Sequence, residues 1–184
     1  ELALPKLVVV FGMIAVHGNE RLTRALLPEL RGSLGLDVAG NRRLGSFEVP
    51  QLRVVEGRIV FLGNDMLVAL SFPALERVNA ELRVVLHPAL SALELPLLTS
   101  TGDLSIADTS LREVRLPELM QVGGLSILSN DLLEGVDAPQ VTTVEHLEIN
   151  VNGEGTLENL VLRLPGLSTI DGDFEVDRSP NLQS

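Results

Sequence analysis

His17, His87 and His146 are the side chains in this sequence best suited to acid–base or metal chemistry, yet they lie far apart and no two have a metal-ligand spacing. No serine stands in a nucleophile-elbow context, so covalent catalysis has no visible centre. The densest acidic string is Asp171-Gly-Asp173-Phe-Glu175-Val-Asp177. On a strand it would place Asp173, Glu175 and Asp177 on one face, where they could approach a divalent cation. A hard cation takes about six to eight oxygens, and the order of these residues is not that of a calcium loop. Asn150, Asn152 and Glu154 form a similar cluster that corner and loop geometry explains equally well. There is no cysteine, which removes disulfides and thiolate metal sites. These readings predict no catalytic residues, no metal and no cofactor.

The elements that would position these residues come from a repeat. Prolines at 5, 28, 50, 73, 96, 117, 139 and 165 divide the chain into units of 21 to 26 residues. Each unit approximates L-P-x-L-x-x-V-x-G-x-L-x-I-x-x-N-x-x-L-x-x-L-x, most cleanly from Leu116 to Asp137. A glycine or small polar slot follows the proline, held by Gly12, Gly57, Gly102 and Gly124, with Asn79 in the same place. After it, alternate apolar residues predict a strand with one inward face. The predicted inward pairs are Ile14/Val16, Leu34/Leu36, Ile59/Phe61, Leu82/Val84, Leu104/Ile106, Leu125/Ile127, Leu147/Ile149 and Phe174/Val176.

Next comes an asparagine slot, filled by Asn19, Asn41, Asn64, Asn130 and Asn152, with His87 and Asp108 as variants. Asn and Asp tolerate left-handed backbone and bond neighbouring main chain, so this slot predicts a corner. The return side starts at Leu22, Leu44, Leu67, Leu90, Leu111 and Leu133, and the next proline ends it.

The pattern predicts an all-β fold, a right-handed parallel β-solenoid of about eight coils, forming one domain over residues 1–184 that belongs to a longer protein. The irregular unit from Asn150 to Leu164 predicts a protruding loop. Function in such a scaffold lies in outward residues. In the strand these read Ala15, Gly35, Val60, Arg83, Ser105, Ser126, Glu148 and Glu175. The column carries neither a threonine array nor a repeated carboxylate pair. The candidate binding face is therefore Arg58, Val60, Arg83, Ser105, Ser126, Glu148 and Glu175.

Charge narrows the partners. Residues 1–92 carry ten Lys and Arg against nine Asp and Glu, whereas residues 93–184 carry four against sixteen. An acidic half repels phosphate backbones, which argues against nucleic acid. The longest apolar run, Leu7 to Val16, is too short to span a bilayer and keeps the register of the first coil.

The run L-P-E-L-M-Q-V-G-G-L-S-I-L-S-N-D-L-L-E-G-V, Leu116 to Val136, resembles the receptor L domain, the leucine-rich β-helix of insulin- and growth-factor-receptor ectodomains. Similar repeats occur in fungal cell-wall proteins and bacterial surface proteins. The chain departs from the animal receptors in lacking cysteine, which favours a microbial relative, and thirteen Arg against one Lys suits a GC-rich bacterium. The resemblance implies a non-enzymatic cell-surface or secreted recognition or adhesion domain, binding a protein or glycan through an exposed solenoid face. The alternative is a structural subunit that stacks end to end with copies of itself.

Overall fold

The computed structural model describes residues 1–150, 160–177 and 182–183, and every regular element among them is a β-strand in parallel pairing. The long side of the solenoid is one sheet of eight rungs: Val9–His17, Gly32–Ala39, the split rung Val54–Val55 with Ile59–Leu62, Arg77–His87, Ser100–Thr109, Gln121–Leu128, His146–Asn150 and Phe174–Asp177. Eight rungs are joined by about seven turns of chain, one fewer than the number of coils expected. No helix among these residues is long and apolar enough to cross a membrane.

Rung register confirms the alternating pattern almost everywhere. Ile59, Leu82, Leu104, Leu125 and Leu147 stack in one inward column, and Phe61, Val84, Ile106, Ile127 and Ile149 in the next. All ten are buried, so each coil closes its neighbour's core. Edge-to-face contacts link Phe47 to Phe61 at 5.1 Å and Phe61 to Phe72 at 5.9 Å, filling the interior of adjacent coils. Phe174 keeps the inward register but is 62% exposed.

The expected pair Leu34/Leu36 is corrected to Leu36/Val38, which align with Ile59 and Phe61. Leu34 is 52% exposed, because it takes the bend position that glycine holds in other coils. That bend column runs Leu34, Gly57, Ala80, Gly102 and Gly123, each carbonyl meeting the next residue. A methyl group at Gly102 would overlap the Ala80 carbonyl oxygen. The slot residues read as Asn79 and Gly124 thus move by one position, to Ala80 and Gly123.

Both corners are four-residue turns. At the proline corner the N–H of Leu7, Leu30, Leu52, Leu75, Leu98, Leu119, Val141 or Leu167 donates to the carbonyl three residues earlier, just before the proline. Proline thereby sits second in the turn, where its fixed φ is preorganised. At the other corner the N–H of Leu22, Leu44, Leu67, Leu90 and Leu133 donates back to the carbonyl of the asparagine slot.

The left-handed residue of that corner is not the asparagine. It is the residue before it: Gly18, Gly40 and Gly63, then Leu86, Asp108 and Ser129. Asp108 is therefore corrected from the asparagine slot to this position, and Thr109 fills the slot opposite His87. The asparagines are selected for their side chains instead. Asn41 Nδ2 donates to the Val16 carbonyl at 2.7 Å and the Ala39 carbonyl at 3.2 Å, while the N–H of Asn41 donates to Asn64 Oδ1 at 3.1 Å. Asn64 and Asn130 repeat the arrangement, giving buried amides that tie coil to coil.

The return side is interrupted. Leu2–Ala3, Arg24–Leu26, Ser46–Glu48, Ala69–Ser71 and Ala92–Glu94 form one sheet; Glu113–Arg115, Gly135–Asp137, Leu160–Arg163 and Leu182–Gln183 form another. Between Ala92–Glu94 and Glu113–Arg115 there is no ladder. The break coincides with the shortest unit, where two steps rather than three separate Thr109 from Leu111. The loop expected within Asn150 to Leu164 falls largely on residues 151–159, outside the described residues, as does Asn152.

Candidate functional surface

The inward face is consumed by the core, so the long sheet's outward face is the broadest ordered surface. It is three residues wide. The central column is Ala15, Asp37, Val60, Arg83, Ser105, Ser126, Glu148 and Glu175, in continuous register. Six of the seven predicted face residues are brought together here. The residue expected from the second coil, Gly35, is replaced by Asp37 through the same two-residue shift that moved the inward pair.

Arg58, the seventh, lies one column away and reaches Asp37 at 3.6 Å. His17 Nε2 meets the other Asp37 oxygen at 2.9 Å. The half-buried Asp37 carboxylate thus bridges two basic side chains across three rungs, a cluster that the misplaced Gly35 concealed. At the opposite end Glu148 stacks directly beside Glu175, a like-charge pair on neighbouring strands. The face grades from mixed charge to acidic along the solenoid axis.

The acidic string keeps its predicted alternation: Phe174 and Val176 align with Leu147 and Ile149, so Glu175 points outward. Among the described residues no group of three or more His, Asp and Glu is placed to hold a metal ion.

The histidines do not converge. His146 lies over Gly124 at the strand entrance, where a methyl on Gly124 would overlap its ring. His87 occupies the asparagine slot, fully buried, and its Nδ1 accepts the Asn64 N–H at 3.1 Å. Burial pushes its pKa below the ordinary 6.5, although the Asn64 and Phe61 carbonyls and the Asp65 charge act in the opposite sense. Pro88 follows it second in the corner turn, as in the proline corners. A neutral imidazole substitutes for an amide here, as the sequence suggested.

One groove borders the face and another lies on the return side. The first, of about 840 Å³, lies over the left-handed corner column and has Ala39, Leu62, Leu86 and Pro88 among its walls. Its sequence trace is the glycine that precedes each of the first three asparagine slots and becomes leucine at position 86. The other, of about 410 Å³, lies at the break in the return side between Leu93 and Arg115.

No family model and no solved structure matches the chain. It is similar to cell wall protein ecm33 of Schizosaccharomyces pombe, 29% identical over an alignment of 139 residues that covers 71% of this chain. The chain spans 32% of that relative's length.

Proposed function

We propose that this chain is a non-enzymatic recognition domain of the cell surface that binds its partner on the outward face of the long sheet. The carrying observation is the central column itself: eight rungs in unbroken register present Ala15, Asp37, Val60, Arg83, Ser105, Ser126, Glu148 and Glu175 on one surface. The cell-surface placement is supported by the similarity to a cell wall protein. A protein partner suits the surface better than a glycan. Tryptophan and tyrosine are absent; of the five phenylalanines Phe47, Phe61 and Phe72 are buried in the core, and Phe11 and Phe174 are exposed in the first and last rungs. The central column therefore offers hydrogen-bonding and charged groups and no aromatic side chain on which a sugar ring could stack, and the exposed Phe11 and Phe174 stand apart from each other.

Intact source cells probed with an antibody against the domain should be labelled on the outside. The purified domain should bind those cells, and an Arg83→Glu, Ser105→Arg double variant should lose that binding while keeping its melting temperature. Labelling only after permeabilisation, or binding indifferent to the double variant, would refute this function.

A further inference from the structure

Leu86 combines two unfavourable features in one residue. Its φ of 61° is left-handed, a conformation that crowds the Cβ of an L-residue against the following carbonyl oxygen. The equivalent positions in the first three coils are Gly18, Gly40 and Gly63. Its apolar side chain is also 49% exposed. Strain held together with exposure points toward a contact that the side chain makes outside its own fold.

The surroundings define that contact. Leu86 stands over the corner groove with Leu62, Ala39 and Pro88; the carboxylates of Asp65 and Asp108 rim it, together with Arg42 and with His17, which Asp37 engages. The Asp108 carboxylate makes no hydrogen bond or ion pair among the described residues, and Asp65 has only a loose contact with Arg42 at 3.9 Å, both side chains being well exposed. An apolar floor beside under-neutralised carboxylates complements a side chain that is itself half apolar and half cationic. Lysine and arginine have that construction, with a methylene stem and a charged head.

We propose that this groove is a docking site for a basic segment of a partner protein, with an aliphatic stem on Leu62, Leu86 and Pro88 and the cationic head at Asp108 and Asp65. The proposal rests on the recognition function above and adds to it a second contact surface and the charge of the partner. Leu86 provides the apolar anchor; Asp108 provides direction. Gly40 and Gly63 keep the neighbouring coils low, so that the stem can lie flat along the axis.

The test uses an octapeptide of alternating Leu and Lys, with Leu-Glu and Ser-Lys octapeptides as controls, titrated into the 15N-labelled chain. The Leu-Lys peptide should shift the amides of Gly40, Gly63, Leu86 and Asp108, and the controls should bind at least tenfold more weakly. Leu86→Gly, which relieves the backbone and so preserves folding, should weaken Leu-Lys binding at least tenfold. Asp108→Asn should weaken it several-fold and reduce its salt dependence. Shifts confined to the Glu148 and Glu175 end would overturn the groove while leaving the recognition function standing. Absence of any shift, or Leu86→Gly binding as tightly as the unaltered chain, would also overturn it.

Discussion

At the scale of single residues, the corner column separates two roles that composition alone merges. Glycine supplies the left-handed backbone, and the asparagine after it supplies hydrogen bonds. Leu86→Gly should therefore raise stability by about 1 kcal/mol, whereas Gly40→Val should lower it by about 1–2 kcal/mol, both measured by denaturant unfolding. Asn64→Ala should cost about 3 kcal/mol or more, since it strands the buried carbonyl of Val38 and the N–H of Asn41. His87 makes the same slot pH-sensitive. Its pKa is lower in the fold than in the unfolded chain, so on acidification the unfolded chain takes up the proton first. Stability is full above about pH 6.5 and falls as pH drops from there toward the depressed folded value. His87→Asn should flatten that segment of a melting-temperature profile; an unchanged slope would show that another group controls it. Asparagine recurrence made the corner legible in the sequence. The identity of its left-handed residue was not, because Gly18, Gly40 and Gly63 give way to Leu86, Asp108 and Ser129 and only backbone angles reveal the equivalence.

At the scale of strands, alternation predicted the inward columns wherever a glycine marked the bend, and it slipped where Leu34 took that place. Leu36 and Val38 fit the period-two pattern as well as Leu34 and Leu36 do, since a shift of two leaves every face unchanged. The same degeneracy hid Asp37 from the binding column and with it the contacts to His17 and Arg58. Leu104→Ala should cost about 2–5 kcal/mol by opening a cavity, whereas Ser105→Ala, one residue away on the outward side, should be nearly neutral. The break in the return side was foreshadowed only by the short spacing from Pro96 to Pro117. Its consequence is local. Ala25, Phe47, Leu70, Val114 and Val136 are buried in the return column, but Leu93, next to the break, is only half-buried. Amide exchange at Leu93 and Leu95 should be faster than at Leu70 and Phe72, whose coil has a paired neighbour. Equal protection would mean that the two sheets close in solution.

At the scale of the whole molecule, charge and stacking oppose each other. The repeat sequence revealed the solenoid because every coil obeys the same packing rule, but it left the electrostatic gradient dependent on register. Only the aligned rungs show that Glu148 neighbours Glu175, with Asp173 just before the last rung. Residues 93–184 hold sixteen acidic and four basic side chains, so their coils stack against their own repulsion. In residues 1–92 the charges nearly balance, and Arg24–Glu48 and Arg53–Glu76 link successive coils there. Arg112 and Glu134 form a comparable link in the acidic half, but it is a surface pair and does not offset the excess. Salt screens both effects, and the repulsion is the larger. Raising ionic strength from about 0.02 M to 0.5 M, a change in Debye length from roughly 20 Å to 4 Å, should therefore raise the melting temperature rather than lower it. Glu175→Gln should produce part of that gain at low salt and shrink the remaining salt response, because it removes the like-charge contact with Glu148. A melting temperature that falls with added salt would mean that the inter-coil ion pairs outweigh the repulsion within the acidic end.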